Sequence, residues 1–311
     1  MRLLLAIAML ANLWTATASG QRREEHMNLK GADFDITLPQ DLSTPNRGQL
    51  LDWISNAADA VATYYGKFPV PRVTLRVRSA TRAGIHHGVT YPTNGGLIMI
   101  SVGEGTTPEQ LHDDWTLTHE MIHLAFPSMS EEHHWIEEGL STYVEPIARA
   151  QTGNMSVEEV WRQFVSDMPQ GQPEEGDAGL DHTHTWGRTY WGGALFCLIA
   201  DVRIREATHN RKGLEDALRA IVAAGGTIAS DWEIESALKI GDQATGTTAL
   251  EDLYRQTASR PAPADLNALW KKLGVRLKDG RVSFDDHAPE ANIRKAITAK
   301  LGERAASATT R

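Results

Sequence analysis

A single cysteine, Cys197, stands among the 311 residues. One thiol cannot close an intrachain disulfide, so the fold rests on burial and hydrogen bonding. Cys197 sits in Ala194-Leu195-Phe196-Cys197-Leu198-Ile199-Ala200, an apolar run that reads as a buried helix with an inert thiol. Positive charge is also scarce: 31 Lys and Arg face 40 Asp and Glu, a formal charge of −9. No stretch gathers Lys and Arg into a basic stripe, which excludes nucleic acid as a partner. Repeats and heptads are absent, and no apolar run reaches the roughly 20 residues of a membrane-spanning helix. The longest such run opens the chain, from Leu3 to Trp14 after Met1-Arg2, and gives way to Ala16-Thr17-Ala18. That order is the form of a secretory signal peptide over residues 1–20. The chain is therefore expected to be exported, periplasmic or extracellular, with no stable membrane insertion after cleavage.

What is present concentrates between residues 115 and 145. Thr118-His119-Glu120-Met121-Ile122-His123-Leu124 sets two histidines one helical turn apart. Imidazoles so spaced can grip one Zn2+, and Glu120 stands beside them where it can take a proton from water. Trp115, Leu117, Met121, Ile122, Leu124 and Phe126 supply the apolar surface for such a helix, and Pro127 is expected to stop it. A catalytic zinc takes three protein ligands. The continuation HExxHxxGxxH does not apply, because Phe126 and Met129 occupy the positions of its Gly and last His. The third ligand then comes from His133 or His134, just past a Pro-Ser-Met-Ser turn, or from a carboxylate on the next helix: Glu137, Glu138 or Glu145.

HExxH followed by Trp135, Glu138, Gly139, Tyr143 and Glu145 resembles the gluzincin zinc metallopeptidases. The likeness is to the membrane-alanyl-type and glycyl-type aminopeptidases, with this chain a divergent member that has a shorter connection between His123 and Glu138. The resemblance implies an α+β fold: a small N-terminal mixed sheet with a helix, followed by a mainly helical zincin (gluzincin-like) catalytic lobe. It implies that Glu138 joins His119 and His123 on Zn2+, that Glu120 is the catalytic base, and that Glu145 accepts the free N–H of His119 or His123. In those enzymes a Gly-rich edge strand before HExxH pairs with the substrate backbone, which here points to Gly95, Gly96 and Leu97. Their strand also carries a Glu for the substrate's free amine. This chain has Ile98 and Met99 there, with Glu104 further on, a departure that favours endopeptidase over aminopeptidase action. A tyrosine downstream of the third ligand steadies the oxyanion in those families, which implies Tyr190, with His184 and His182 as alternatives.

Elsewhere, Phe34 to Leu38 and Val73 to Arg78 alternate like strands, and Gly95 to Val102 reads as a more apolar one. Gln49 to Tyr65 reads as a helix with Leu50, Leu51, Ile54, Ala57, Ala58 and Val61 inward. Ser156/Glu159, Ser230/Glu233 and Thr248/Glu251 have capping-box spacing. Arg260-Pro261-Ala262-Pro263 marks a boundary, Asp279-Gly280 turns a hairpin between Val275 and Phe284, and a last helix runs from about Ala291 to Leu301. His86-His87 reads as a structural loop pair. The expected division is a signal peptide (1–20), a β-rich lobe (21–106), a helical zinc-binding lobe (107–260) and a C-terminal helix/hairpin extension (261–311). The expected function is a zinc metallopeptidase acting on a peptide or protein. The rivals are a non-catalytic peptide- or envelope-binding protein on the same scaffold and a zinc hydrolase of a non-peptide bond.

Overall fold

The computed structural model describes residues 22–93 and 95–300, so the signal-peptide reading of residues 1–20 and the last helix's end at Leu301 lie outside them. Strand β1 (Arg22–Leu29) turns at Lys30-Gly31 into β2 (Ala32–Pro39). Both turn residues have positive φ, 53° and 87°, which matches the twist of a two-residue hairpin. Ala32, Phe34, Ile36 and Leu38 form the buried face of β2. Helix α1 (Arg47–Tyr65) starts at Asn46, whose side chain accepts the Gln49 N–H while its own N–H donates to the Gln49 side chain, and stops at left-handed Gly66. Its inner face carries Leu50, Ile54, Ala57, Ala58 and Val61. Strands β3 (Arg72–Ala80), β4 (Ile85–Tyr91) and β5 (Leu97–Gly103) complete a mixed sheet in the order β1-β2-β3-β5-β4. β2, β3 and β5 are parallel, and the outer strands β1 and β4 are antiparallel to their neighbours.

β1 and β4 are the strands that sequence pattern does not announce. Both lie at sheet edges, where one side of the backbone faces water and polar residues such as Glu24, His26, His86 and Thr90 interrupt apolar alternation. The consequence for the site is direct. Gly95-Gly96 leads into β5 at Leu97, β5 is an interior strand, and the edge strand is β4.

The remainder is helical: α2 (Pro108–Asp113), α3 (Thr116–His123), α4 (His134–Thr152), α5 (Val157–Asp167), α6 (Gly193–Ala207), α7 (Leu214–Ala223), α8 (Ile234–Thr245), α9 (Ala249–Thr257) and α10 (Leu266–Leu273). A hairpin of β6 (Val275–Lys278) and β7 (Arg281–Phe284) turns at Asp279-Gly280, and α11 (Ala291–Thr298) follows. Ser156 caps α5 through the Glu159 N–H. Ser230 instead closes a turn on the Thr227 carbonyl, and α8 begins later, at Ile234. At α9 the Thr248 hydroxyl yields its capping role to the buried Asp242 carboxylate, which accepts the N–H groups of Leu250 (3.0 Å) and Glu251 (2.9 Å). A carboxylate with two oxygens satisfies two orphan donors where a hydroxyl satisfies one.

α4 is buried on nearly every side, as a central helix must be, and its neighbours are α1, α3 and α6. Buried side chains from the sheet and these helices form one continuous core. Cys197 is inside it on α6, and burial pushes its thiol up, away from the reactive thiolate. Among the described residues no helix is long and apolar enough to cross a membrane.

Candidate active site

Asp114 sets the start of α3. Its carboxylate accepts the N–H groups of Thr116 (3.0 Å) and Leu117 (3.1 Å) and the Trp53 indole N–H (3.0 Å). α3 ends at His123, short of Pro127, because the Leu124 and Ala125 N–H groups fold back to the Met121 and Ile122 carbonyls. One full turn still separates His119 from His123. Nε2 of His119 lies 3.1 Å from Oε2 of Glu138, and Nε2 of His123 lies 3.7 Å from the same oxygen. The three ligand atoms fall within 4.8 Å of one another, the one such His/Cys/Asp/Glu group among the described residues. A zinc tetrahedron with bonds near 2.1 Å has edges of about 3.4 Å, so the donor set and its spacing fit that ion. Burial lowers the His123 pKa to about 3, keeping its imidazole neutral as a metal ligand must be. Burial alone would raise Glu138. Hydrogen bonds from His119 and His134 outweigh it and hold the carboxyl well below its usual range.

The two histidines at the start of α4 take opposite directions. His133 turns inward, its Nδ1 3.1 Å from Asp181, whose carboxylate also accepts the Trp135 indole N–H (2.8 Å) and the Tyr254 hydroxyl (2.9 Å). That buried cluster anchors the beginning of α4. His134 faces the cleft. Its Nε2 is 3.3 Å from Glu138 Oε1 and its Nδ1 is 3.3 Å from Glu137 Oε2. Hydrogen bonds donated by its ring to Glu137 and Glu138 push its pKa up to about 10. The two oxygens of Glu138 are thus divided, Oε2 toward the imidazole pair and Oε1 toward His134.

The glycine after Glu138 has a packing reason. A Cβ on Gly139 would stand 2.2 Å from the Gly193 Cα, and one on Gly193 would stand 2.2 Å from the Trp135 carbonyl oxygen. α4 and α6 therefore touch backbone to backbone. The π-helical turn Gly187–Gly192 runs directly into this contact and carries Tyr190 to Glu138. Inserted π turns of this kind are frequent at functional sites. Buried Arg188 clamps the turn through an ion pair with Asp177 (2.7 Å) and a hydrogen bond to the Gly171 carbonyl. Burial, the Glu138 charge and a hydrogen bond to Glu138 push the Tyr190 phenol up to about 12, so it stays a donor. Its ring lies nearly parallel to His119, 6.3 Å between centroids.

Glu120 projects on the other side of the histidine pair, against β4. The Thr90 hydroxyl donates to its Oε2 (2.7 Å), and burial raises its carboxyl. β4 approaches so closely that a Cβ on Gly88 would stand 2.7 Å from Glu120. His87, at φ 46°, and a register shift between His86 and Val89 bend the strand there. The result is a cleft of about 830 Å³ between β4 and the helices, walled by His119, Glu120, His123, His134, Glu138 and Tyr190.

Other residues named from sequence lie elsewhere. Gly95, Gly96 and Leu97 are absent from the cleft wall, as are His182 and His184, both exposed. Glu104 bonds Ser43. Glu145 is buried beside Arg149, which donates to it at 3.0 Å, in place of a ring N–H from His119 or His123. His86 is tied to the Arg82 carbonyl (2.9 Å). Thr90, Gly88 and the positioning contact of His134 were not anticipated. His134 stands four residues before Glu138 on one helix, a spacing legible in sequence. Thr90 and Gly88 come from a distant strand with no local signal.

No protein-family model matches the sequence, and no curated protein matches it. Among solved structures the fold is similar to an aminopeptidase N family protein from Idiomarina loihiensis (12% identity, 83% of this chain and 50% of that one, TM-score 0.61). It is also similar to a mutant M1 zinc metallopeptidase from Deinococcus radiodurans (14%, 78% and 53%, 0.51). A two-domain M1 zinc metallopeptidase mutant bound to L-arginine stands at the same distance (14%, 79% and 53%, 0.52). The chain spans about half the length of these proteins, and at such identity the likeness is one of fold.

Proposed function

We propose that this chain is a divergent gluzincin, an exported zinc metallopeptidase that cuts peptide bonds. The observation that carries the reading is the convergence of His119, His123 and one oxygen of Glu138 beside a buried Glu120 in an open cleft. His119, His123 and Glu138 would hold the ion. Zinc in such a set supplies Lewis-acid polarisation and lowers the pKa of water to about 7. Glu120, raised by burial and aimed by Thr90, accepts the proton of the attacking water and returns it to the leaving amine. Tyr190, kept protonated, donates its hydroxyl hydrogen to the oxyanion as the carbonyl carbon becomes tetrahedral. The free edge of β4 offers backbone groups for an extended substrate. No carboxylate stands on β4 to hold a substrate's free amine, which supports endopeptidase action.

The deciding experiment is mass-spectrometric mapping of cuts in a denatured proteome digest. Internal cuts are expected from the zinc-loaded enzyme and none after chelation or from zinc-loaded Glu120→Gln. Cutting by that variant removes Glu120 from its role. The absence of any cut by the zinc-loaded wild type overturns the peptidase reading.

A further inference from the structure

Two tryptophans stand half in water beside the site: Trp115 is 52% exposed and Trp186 60%. Both face one cavity of about 230 Å³, whose other ring walls are Trp191, Tyr190 and His119. Trp115, His119 and Tyr190 also wall the main cleft, so the two spaces adjoin across the histidine–tyrosine pair. The rings form an unbroken run. Trp186 stacks on Tyr190 (5.6 Å, 24°), Tyr190 lies parallel to His119 (6.3 Å, 19°), and Trp115 meets His119 edge-on (5.4 Å, 88°).

The charged groups of the cavity are already engaged with protein partners. Glu145 is bonded to Arg149 (3.0 Å), Arg162 grips both oxygens of Glu159 (2.7 and 2.6 Å), and Asp167 accepts from Gln170 (3.3 Å). Apart from the Thr142 hydroxyl and the Gln163 amide, what remains available is ring surface. Arg162 is neutralised by Glu159 and Glu145 is paired with Arg149, so neither is free to hold an ionic occupant. An aromatic side chain can stack on or meet these rings edge-on and gains beyond its area burial, which an aliphatic chain of equal size does not.

We propose that this cavity is a subsite that selects an aromatic side chain on the peptide residue next to the bond that is cut. The assignment rests on the peptidase reading. Its experiment has a cleavage arm and a binding arm. In the first, sites cut by the zinc-loaded wild type in a peptide library are expected to carry Phe, Tyr or Trp beside the cut. In the second, calorimetry on zinc-loaded Glu120→Gln measures blocked pentapeptides that differ at one residue, Ala, Lys or Phe. The Phe peptide is expected to bind about tenfold more tightly than the Ala peptide. That ratio falls to about one when Trp115→Ala or Trp186→Ala is added and is kept by Trp186→Phe. Cleavage without aromatic preference, a Lys preference, or a Phe/Ala ratio unchanged by both alanine substitutions overturns the subsite while leaving the peptidase reading intact. A wild type that cuts no peptide, with no peptide bound by the Glu120→Gln protein, overturns both.

Discussion

His134 and Glu138 stand four residues apart on α4, and their contact leaves only Oε2 of the carboxylate turned toward the two imidazoles. An outer partner of this kind orients a metal ligand and is worth about 10–100-fold in metal affinity. His134→Ala is therefore expected to weaken zinc binding by about that factor in a competition titration with a chromophoric chelator. Unchanged affinity would remove His134 from a positioning role. Tyr190 makes the opposite prediction. Its hydroxyl serves the developing oxyanion in the proposed mechanism, so Tyr190→Phe should keep full zinc occupancy and lose about 10²-fold in kcat. Wild-type turnover in the Phe variant would exclude it. The motif residues His119, Glu120, His123 and Glu138 were legible because helical periodicity forces i, i+4 neighbours together and each motif is local. Glu145 was misplaced for a physical reason: Arg149, one turn beyond it, supplies a charged donor, and a buried carboxylate takes that partner ahead of a neutral ring N–H.

At the scale of the element, the decisive contact is α4 against α6. Gly139 and Gly193 let two helix backbones touch, and this contact sets the distance from Glu138 to the π turn bearing Tyr190. A methyl group at either position meets backbone, which cannot step aside as a flexible side chain can. Gly139→Ala is expected to cost about 1–3 kcal/mol in urea unfolding and to disturb the Glu138–Tyr190 pair. A variant with wild-type stability would show that the helices separate freely. Local sequence displayed Trp-x-x-Glu-Gly but not what its glycine touches, since Gly193 is far along the chain. The edge strand was hidden for a similar reason. β4 carries His86, His87 and Thr90 where an interior strand would carry aliphatic residues, and its place beside Glu120 depends on pairing with β5.

At the scale of the molecule, the cleft lies between the free edge of the sheet and the helical layer, with one core running beneath both. That core also carries a buried acid. Burial, opposed by Arg149 and His119, pushes Glu145 from 4.5 up to about 7. A raised carboxyl contributes stability while protonated, below 4.5, and loses it as pH climbs through about 7. In the metal-free protein, the Tm difference between wild type and Glu145→Gln should therefore move against the wild type as pH rises across that window. A difference that stays flat with pH would show that Glu145 is ionised throughout.

Sequence alone determined the helix periods, the sheet strands with one apolar face, the Asp279-Gly280 hairpin turn and the histidine–glutamate motif, because each depends on residues within a few positions of one another. Tertiary structure decided which strand forms the edge of the cleft, which carboxylates meet arginine, and how a glycine pair brings a tyrosine to a glutamate. These are contacts between distant segments, and the chain reaches them only when one core buries sheet and helices together.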